Sequence, residues 1–348
     1  MESQTLEIQK RNRLLKTAIV ILNWNGRKLL EEFLPSVVEH SPSAHIFIID
    51  NASTDDSVHW VQTKYSNVKI IQNSDNFGFA KGYNLGLKEI QKNFPEVEIF
   101  CLLNSDVKVT KNWLNPILNL YQSNPEISVV QPKILDYKNP THFEYAGAGG
   151  GFIDNYGFPF CRGRVFWTLE EDKGQYNDTI QTFWASGACL FVKAKDFFEI
   201  NGLDEGFFAH MEEIDFCWRL NNLGKKVFYC GQSTVYHLGG GTLKNNNPRK
   251  TYLNFRNSLW MLVKNLPKGK AFTIPFMRLS LDGITAFVFL FYEGFGHFWA
   301  VINSHFGFYA RLFHYKRLRK PGISNYYTKK FVPYQYFIQK RKYFQELK

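Results

Sequence analysis

The 348-residue sequence lacks the features that mark several classes of protein. Its five cysteines are odd in number, form no C-x-x-C pair and lie mostly within apolar stretches, which argues against a disulfide framework and indicates reduced core thiols. The first sixteen residues contain no apolar run of signal-peptide length, so the sequence predicts a cytoplasmic protein. No internal repeat or low-complexity segment is present.

Most of the chain has no excess of basic residues. Residues 1–263 carry 27 basic and 28 acidic groups, whereas residues 264–348 have a net charge of +12. The total of +11 therefore belongs to the C-terminal part. Because no basic stripe marks the larger part, the charge distribution argues against a nucleic-acid partner.

A long uninterrupted apolar run is also missing. Residues 279–310 contain no Lys or Arg and are rich in aromatics, but Glu293 and "GFGH" leave neither half with the ~18 apolar residues of a spanning helix. Basic clusters follow between Arg311 and Lys342. This pattern predicts a segment that lies on an anionic membrane surface. Packing on the rest of the protein and a dimer interface are the alternatives.

The chain does contain the pattern of a parallel α/β sheet. The 45% hydrophobic content indicates a substantial core, large enough for one α/β domain with an appendage or for two modest domains. Four apolar runs predict buried strands, namely "TAIVILNW", "AHIFIIDNAS", "VKIIQN" and "EIFCLLNSD". Helical spacing in "RKLLEEFLPSVVEH" and "AKGYNLGLKEIQKN" makes the first hundred residues βαβ-like.

All four predicted strands end in polar residues. A single polar strand end is an ordinary turn, but the carboxyl ends of parallel strands line the ligand crevice of an open sheet. Asp50 is placed to accept a hydrogen bond from a pyrimidine N–H, while Ser53 to Asp55 fit a helix N-cap. We therefore expect one nucleotide site formed by the polar endings, which include Asn23, Asn25, Asp50, Asn51, Asn76, Asn104, Ser105 and Asp106.

Asp106 is the best candidate metal ligand. It follows one strand and precedes another, so it caps no helix, and a buried unpaired carboxylate would be costly. A divalent cation, Mg²⁺ or Mn²⁺, shared with substrate phosphates would remove that cost. His237, between "STVY" and "LGGGT", is a candidate second ligand. A solvated turn at Asp106 and a structural histidine are the alternatives.

Three carboxylates occur together in "MEEIDFCWRL". On a helix, Glu212 and Asp215 share a face with Arg219 while Glu213 points elsewhere, so one set can be structural and the remaining carboxylate catalytic. A solvated acidic turn is the alternative. The glycines of "GAGGG", residues 147–151, lack the strand and helix of a dinucleotide site, and we expect them to form a flexible loop over the site.

The order of these motifs resembles the family 2 glycosyltransferases of GT-A fold, especially the branch with bacterial rhamnosyltransferases. The resemblance covers residues 17–263 and depends on "VILNWNG", "IIDNASTDDS", "NFGFAKGYNLGL", "LLNSDV", "ASGACLFVKAKDFFEINGLDEGFF", "EEIDFCWRL" and "VYHLGGGT". It implies an α/β GT-A fold with a mostly parallel, Rossmann-like sheet flanked by helices. Residues 17–124 would form the nucleotide half and residues 125–263 the acceptor half. Residues 1–16 would precede this domain, and residues 264–348 would form a helical, aromatic and basic extension.

The resemblance also implies roles for individual residues. Around the nucleotide it places Asn23, Asp50, Asn76, Gly78 and Asn84. Asp106 would end the D-x-D metal motif, with Asn104 at its usual first Asp and His237 approaching the same metal. Glu213 would be the inverting base, although this position is commonly Asp and Glu212 is the alternative base. Glu212 and Trp184 would lie on the acceptor side, with Trp184 stacking on a sugar.

The expected reaction is transfer of a sugar from a nucleotide-sugar donor, dTDP-rhamnose or a UDP-sugar, to a hydroxyl of a glycan acceptor. A lipid-linked acceptor would explain membrane proximity. Two other functions remain open from the sequence, namely a nucleotidyltransferase and a non-catalytic carbohydrate-binding protein on a decayed transferase fold. A nucleotidyltransferase would show a Gly-rich basic loop after the first strand, where this chain has "NWNGRKLLEE".

Overall fold

A computed structural model describes residues 15–239 and 247–348. Within these ranges a nine-stranded sheet has the order β11-β13-β6-β12-β4-β1-β2-β3, with β5 paired to β13. Its strands are β1 Thr17–Asn23, β2 His45–Asp50, β3 Val68–Gln72, β4 Ile99–Asn104, β5 Val107–Val109, β6 Ile127–Asp136, β11 Thr179–Thr182, β12 Cys189–Lys193 and β13 Lys226–His237. A small antiparallel sheet contains β7 Gly151–Ile153, β8 Pro159–Cys161, β9 Arg164–Val165 and β10 Thr168–Leu169.

Helices cover both faces of the larger sheet. They are α1 Arg27–His40, α2 Ser57–Lys64, α3 Gly78–Asn93, α4 Leu114–Ser123, α5 Ala194–Glu199 and α6 Glu212–Asn222, followed by α7 Pro248–Asn265, α8 Lys270–Tyr292, α9 Phe295–Arg317 and α10 Val332–Phe337. Single 3₁₀ turns occur at Glu205–Phe207 and Phe344–Glu346. The predicted α/β class, central sheet and helical extension are confirmed.

The N-terminal half is a parallel βαβ arrangement. Strand β1 lies between β2 and β4, and β2 pairs with β3, all in parallel. The apolar runs form buried strands because both faces of the sheet are covered. Helices α1 and α3 each bury one apolar stripe against it, with Leu30, Phe33, Leu34 and Val37 on α1 and Ala80, Tyr83, Leu87 and Ile90 on α3.

The other half of the large sheet is mixed. Strand β12 is antiparallel to both β4 and β6, and β13 is parallel to β6. The end of β13 also pairs with β5, so that His237 lies opposite Val107. This pairing places the C-terminal end of β13 at the edge of the sheet where β4 ends, and so His237 lies next to Asp106.

The C-terminal extension packs on the part of the protein that contains the large sheet. Helix α7 runs through Asn265, beyond the predicted boundary at residue 263, and its Trp260 stacks on Tyr315 of α9 at 4.5 Å between ring centroids. Phe344 contacts Phe152 of the small sheet at 5.3 Å between centroids. The extension therefore shares the core of the larger part.

Two sequence interpretations need correction, and one is supported. The segment 147–151 is buried, and Gly147 has φ +131° with Ser186 so close that a Cβ would lie 2.4 Å from the Ser186 Cβ. The glycines therefore allow tight packing and do not form a flexible loop. Helix α8 is by length and composition apolar enough to cross a membrane, which the sequence interpretation had not expected because it started at residue 279. All five cysteines are buried and free.

Candidate active site

The polar strand ends lie side by side because the strands are in register. Asn23 at the end of β1 is opposite Asp50 of β2, and Leu22 is opposite Asn104 of β4. Parallel pairing brings carboxyl ends to one edge of a sheet, so Asn23, Asp50 and Asn104 lie side by side there. Ser105 lies in the turn that joins β4 to β5 at this edge.

Asn23 and Asp50 form a buried network that shapes the loop after β2. The Asp50 carboxylate accepts hydrogen bonds from the Asn23 amide at 2.8 Å, the Ser53 amide N–H at 3.0 Å and the Ser53 hydroxyl at 2.6 Å. Asp50 is only 2% exposed. The carboxylate holds the "DNAS" loop in place, and its contact with a pyrimidine stays a prediction, since a carboxylate can accept more than these three hydrogen bonds.

Asn51, Asn76 and Gly78 connect the second and third strand ends. The Asn51 amide donates to the Gly78 carbonyl at 3.0 Å, and the Asn76 side chain accepts from the Gly78 N–H at 3.1 Å. Gly78 has φ +74°, and a Cβ there would lie 2.7 Å from the Phe208 ring. Only glycine fits this turn, because a side chain would push the loop of Phe208 away from the start of α3.

Asn84 does not point toward the nucleotide side. Its amide donates to the Leu203 carbonyl at 2.8 Å, and its carbonyl accepts from the Leu203 N–H at 2.9 Å. Both ends of the amide are therefore used to hold α3 against the loop that precedes Glu205. The predicted nucleotide role of Asn84 is wrong, and the residue is a clamp between two segments 119 positions apart.

Asn25 and Trp24 form the rim of the crevice after β1. Asn25 adopts a left-handed backbone with φ 50°, and its side chain accepts from the N–H groups of Thr54 at 2.7 Å and Asp55 at 3.3 Å. Trp24 is 49% exposed. Trp24 was not predicted as a site residue from the sequence. The signal that could have indicated it is the indole in "NWNG", directly after a strand, because an exposed indole there offers a face on which a base can stack.

Asp106 and His237 lie in direct contact at the far side of the crevice. The His237 Nε2 is 3.1 Å from Asp106 Oδ1, and its Nδ1 is 3.4 Å from Glu144 Oε1. Burial alone lowers the pKa of His237, but the two carboxylates raise it to about 10. Glu144 was missed from the sequence, since it lies between strands with no motif around it.

These side chains are suitable donors for a divalent cation. Carboxylate oxygen and imidazole nitrogen are accepted ligands, and a carboxylate on the other ring nitrogen is the usual means of orienting a metal-binding histidine. The Asn104 amide lies 3.5 Å from His237 Nε2. Within residues 15–239 and 247–348, no three or more His, Cys, Asp or Glu side chains are arranged so that they could together hold a metal ion. A cation here would therefore need substrate oxygens to complete its shell.

Glu212 and Glu213 begin α6 in a setting that disfavours negative charge. Burial raises the pKa of Glu213 to about 7. Burial, and next the neighbouring Glu213, hold the pKa of Glu212 well above its ordinary value. One carboxylate oxygen of each side chain is buried without a hydrogen-bond partner in the described structure. A carboxylate with a pKa near neutrality and a free oxygen is suited to general-base catalysis.

Asp215, the third acid of the group, is fully paired. It lies 2.7 Å from Arg219 and 3.0 Å from Lys264, and it accepts from the Asn265 amide at 2.7 Å. Burial alone would raise the pKa of Asp215, but Lys264 and Arg219 hold it below its ordinary value. Asp215 thus joins α6 to α7. Within the part of the chain that the structure describes, neither Glu212 nor Glu213 forms an ion pair, so Arg219 pairs with Asp215 but not with Glu212, the other acid on the predicted face.

The loop before α6 has an unusual backbone. Phe208, His210 and Met211 all have positive φ values, between 65° and 72°. The buried Asn257 amide on α7 donates to the carbonyls of Phe207, Ala209 and His210 at 2.8–3.0 Å. Such strain is maintained where surrounding contacts over-determine the conformation, which here fixes the entry of the chain into the Glu213 helix.

Residues 187 and 188 lie between the acid pair, Glu212 and Glu213, and the turn that carries Asp106. Glu213 Cβ is 3.8 Å from the position that a Cβ on Gly187 would take, and the Ala188 carbonyl accepts from the Asn104 N–H at 3.0 Å. The start of α6 and the turn after β4 therefore contact the same segment. This arrangement places Glu213 near the edge of the sheet where β4 ends.

Trp184 is part of the core. It is 3% exposed, its indole N–H donates to the Phe152 carbonyl at 2.8 Å, and its ring lies so close to Gly151 that a Cβ there would overlap it. No ring face is left for a sugar. The predicted stacking role of Trp184 is wrong, and the residue instead fixes the small sheet to the strand at Thr179–Thr182.

Known proteins show what this arrangement is similar to. Residues 18–188 match the model of Glycosyl transferase family 2. The low-salt glycan biosynthesis hexosyltransferase Agl10 of Haloferax volcanii is 22% identical over 241 residues, which cover 69% of this chain and 73% of the relative. The N-acetylglucosaminyl-diphospho-decaprenol L-rhamnosyltransferase of Mycobacterium tuberculosis is 24% identical over 233 residues, covering 63% of this chain and 75% of the relative.

A solved structure shares the fold. The crystal structure of GalNAc-T7 with UDP, GalNAc and Mn²⁺ superimposes with a TM-score of 0.56 and 18% identity, covering 74% of this chain. The chain spans about half of that protein, since 49% of its length is covered. At this identity the likeness concerns the fold alone.

Proposed function

The chain carries a family 2 glycosyltransferase domain with rhamnosyltransferase homologues, and from this premise we propose that it is an inverting, metal-dependent hexosyltransferase. The donor is a nucleotide-sugar, with dTDP-rhamnose as the best candidate and UDP-sugars next. The acceptor is a hydroxyl of a glycan used in cell-surface polysaccharide synthesis. The observation that carries the proposal is Glu213, a half-buried residue whose carboxyl has a pKa of about 7 and one buried oxygen without a hydrogen-bond partner in the described structure.

The donor half of the proposal depends on the strand edge. The exposed Trp24 and the loop fixed by Asn25 offer a face and backbone donors to a nucleotide. Asp106 and His237 would hold a divalent cation, which when bound neutralises charge on a departing diphosphate. The M. tuberculosis relative is by name a rhamnosyltransferase, which supports the choice of rhamnose.

The catalytic half depends on the acid pair. Glu213 removes the proton from the acceptor hydroxyl as that oxygen attacks the anomeric carbon, and the nucleoside diphosphate leaves from the opposite face. A single base and a single displacement give inversion, because retention through a covalent intermediate needs a second, nucleophilic group. Asp215 takes no part in this step, since its oxygens are held by Lys264, Arg219 and Asn265.

Donor binding is tested by thermal unfolding with a panel of nucleotide-sugars and either Mg²⁺ or Mn²⁺. We expect one donor to raise the free energy of unfolding by about 2.7 kcal/mol at 100 times its Kd. Removal of the metal with EDTA and the variant Asp106→Ala should each abolish most of that gain. Glu39→Ala, an exposed acid outside the crevice, is the matched control. Stabilisation by every nucleotide-sugar without metal would contradict the proposal.

We also propose that the protein binds peripherally to the cytoplasmic face of a membrane through α8 and α9. Arg311, Lys316 and Arg317 complete α9, which contains no acidic residue, and this complements anionic headgroups. The opposite faces of the two helices pack on α7. Their outward side chains are at least half exposed and apolar, namely Phe272, Phe276, Ile284, Phe287, Phe291, Tyr292, Phe295, Trp299, Phe306, Tyr309 and Phe313.

Sedimentation with vesicles tests this location. We expect the protein to pellet with phosphatidylglycerol vesicles at low salt, far less with phosphatidylcholine vesicles, and less again at 1 M salt because the charges are screened. Phe287→Ser with Phe291→Ser should weaken binding, whereas Leu223→Ser, at an exposed position outside the two helices, should not. Equal binding to both lipids at all salt concentrations would rule out the electrostatic part.

A further inference from the structure

Tyr145 is a half-exposed aromatic residue beside the candidate active site. It is 50% exposed, whereas Trp184, for which a sugar-stacking role was predicted, is 3% exposed. Oε1 of the preceding residue, Glu144, lies 3.4 Å from Nδ1 of His237. Tyr145 therefore belongs to a segment that contacts one of the candidate metal ligands.

The other end of this segment contacts the chain beside the candidate base. The Ser186 hydroxyl donates a hydrogen bond to the carbonyl of Ala146, the residue after Tyr145. The next residue along from Ser186 is Gly187, where a Cβ would lie 3.8 Å from the Cβ of Glu213. The backbone at Tyr145 is thus linked on one side to the metal-binding side chains and on the other to the start of α6.

A buried arginine lies against the Tyr145 ring. Arg164 of β9 is 9% exposed, and its guanidinium carbon is 4.6 Å from the ring centroid. Its Nη2 donates to the Cys161 sulfur at 3.4 Å, and its Nε is buried without a hydrogen-bond partner in the part of the chain that the structure describes. A guanidinium group is attracted to the face of an aromatic ring, so this contact fixes the ring before any ligand binds.

The cysteine that Arg164 contacts shows how near both acids are. Burial raises the pKa of Cys161, and the charges of Glu144 and Glu213 raise it further. Because the effect of a charge falls with distance, both carboxyls lie in the neighbourhood of this thiol. The fixed Tyr145 ring is therefore part of the same surface as the candidate metal ligands and the candidate base.

We infer that the face of Tyr145 opposite Arg164 binds the acceptor sugar and so holds its hydroxyl near Glu213. The inference rests on the proposed transferase function and assigns a residue to its acceptor side. An aromatic face is electron-rich, and the C–H groups on one side of a sugar ring complement it while the hydroxyls remain free to form hydrogen bonds. The base and phosphates of the donor belong with Trp24 and Asp106, and so they do not occupy this ring.

Saturation-transfer NMR on the full chain tests this binding with the methyl glycosides of rhamnose, glucose, galactose and N-acetylglucosamine. We expect at least one of them to receive saturation from the protein, most strongly at the C–H protons on one side of its ring. Tyr145→Ala should weaken its binding about tenfold. Tyr145→Phe should bind as the wild type does, because stacking does not use the hydroxyl. Tyr334→Ala, at a 48% exposed position on α10, is the matched control.

Each contrary result overturns a defined part of the inference. If none of the four glycosides binds the wild type, or if Tyr145→Ala binds them unchanged, Tyr145 is not a sugar-binding residue. A loss in Tyr145→Phe equal to that in Tyr145→Ala would replace stacking by a hydrogen bond from the hydroxyl. An equal loss in Tyr334→Ala would show non-specific contact with exposed aromatics.

The nucleotide-sugar panel separates the acceptor assignment from the transferase function. Donors should stabilise Tyr145→Ala as much as they stabilise the wild type, and a reduced gain in this variant would move Tyr145 to the donor side. Glycoside binding by a wild-type protein that no nucleotide-sugar stabilises would reject the transferase function and leave a sugar-binding site. Donor stabilisation without glycoside binding would reject only the inference about Tyr145.

Discussion

Glu213→Gln is expected to reduce kcat for sugar transfer by about 10² to 10⁴, which is the usual contribution of a general base. The amide keeps the size of the side chain but cannot accept a proton. Glu212→Gln should cost about tenfold at most, because burial and the neighbouring Glu213 raise the pKa of Glu212 well above its ordinary value and the amide imitates the neutral form that this favours. Steady-state kinetics with the donor identified by thermal unfolding measure both variants.

The pH dependence of the same two variants adds an independent check. With a pKa of about 7 for Glu213, kcat/KM of the wild type should rise with pH through neutrality, because only the ionised form accepts the proton. The residual activity of Glu213→Gln should lack this rise, whereas Glu212→Gln should keep it. A Glu212→Gln variant that loses both activity and the pH profile would transfer the role of base to Glu212.

The Glu213→Gln variant should lose activity, but its stability relative to the wild type should increase as the pH rises. The pKa of Glu213 is raised from 4.5 to about 7 by burial, so between these values the folded protein binds more protons than the unfolded chain. The wild type therefore loses stability as pH rises through this window. Glu213→Gln removes that loss, so its Tm relative to the wild type should be higher at pH 8 than at pH 4. A lower Tm at pH 8 would instead indicate a structural role.

Regular periodicity explains which parts of the fold could be predicted. The strands β1 to β4 are buried on both faces, and so their apolar runs are continuous and end where the polar crevice begins. Helix α1 occupies the same residues, 27–40, as its apolar spacing predicts. The length of α8 was underestimated because Arg278 interrupts the apolar pattern, yet Arg278 is buried and lies 3.7 Å from Asp282 one turn later.

The sequence could predict site residues that lie at the ends of strands. It could not predict site residues whose positions depend on contacts with distant segments of the chain. Asp106 and His237 meet because β5 and β13 pair; the family resemblance implied that the two residues meet, but the sequence did not indicate this pairing. Asn84 and Asp50 look like ligand-binding residues in the sequence. In the structure, the Asn84 side chain bonds to Leu203, and the Asp50 carboxylate accepts hydrogen bonds from Asn23 and Ser53. Glu144 carries no local signal, since it contacts His237, which lies far away along the chain.

Asp215→Ala is expected to have the largest effect on stability, a loss of about 3–5 kcal/mol in the free energy of unfolding. Breaking a buried ion pair by removing one partner leaves the other charge uncompensated, and that is more costly than replacing the whole pair. Asp215 is fully buried, and its removal leaves Arg219 with carbonyl acceptors only and Lys264 with Asp204 alone. Chemical denaturation at pH 7 measures the loss.

The pH dependence distinguishes this ion-pair cluster from a simple packing defect. Because Lys264 and Arg219 hold the pKa of Asp215 below its ordinary value, its stabilising contribution is present above the unfolded pKa and is lost as pH falls through the lowered value. The difference between wild type and Asp215→Ala should therefore shrink in acid. Asp196→Ala, which removes a buried acid held at the surface side by Lys225 at 2.9 Å, is the matched control and should cost less. A difference that stays constant with pH would mean that lost packing, and not lost charge pairing, explains the destabilisation.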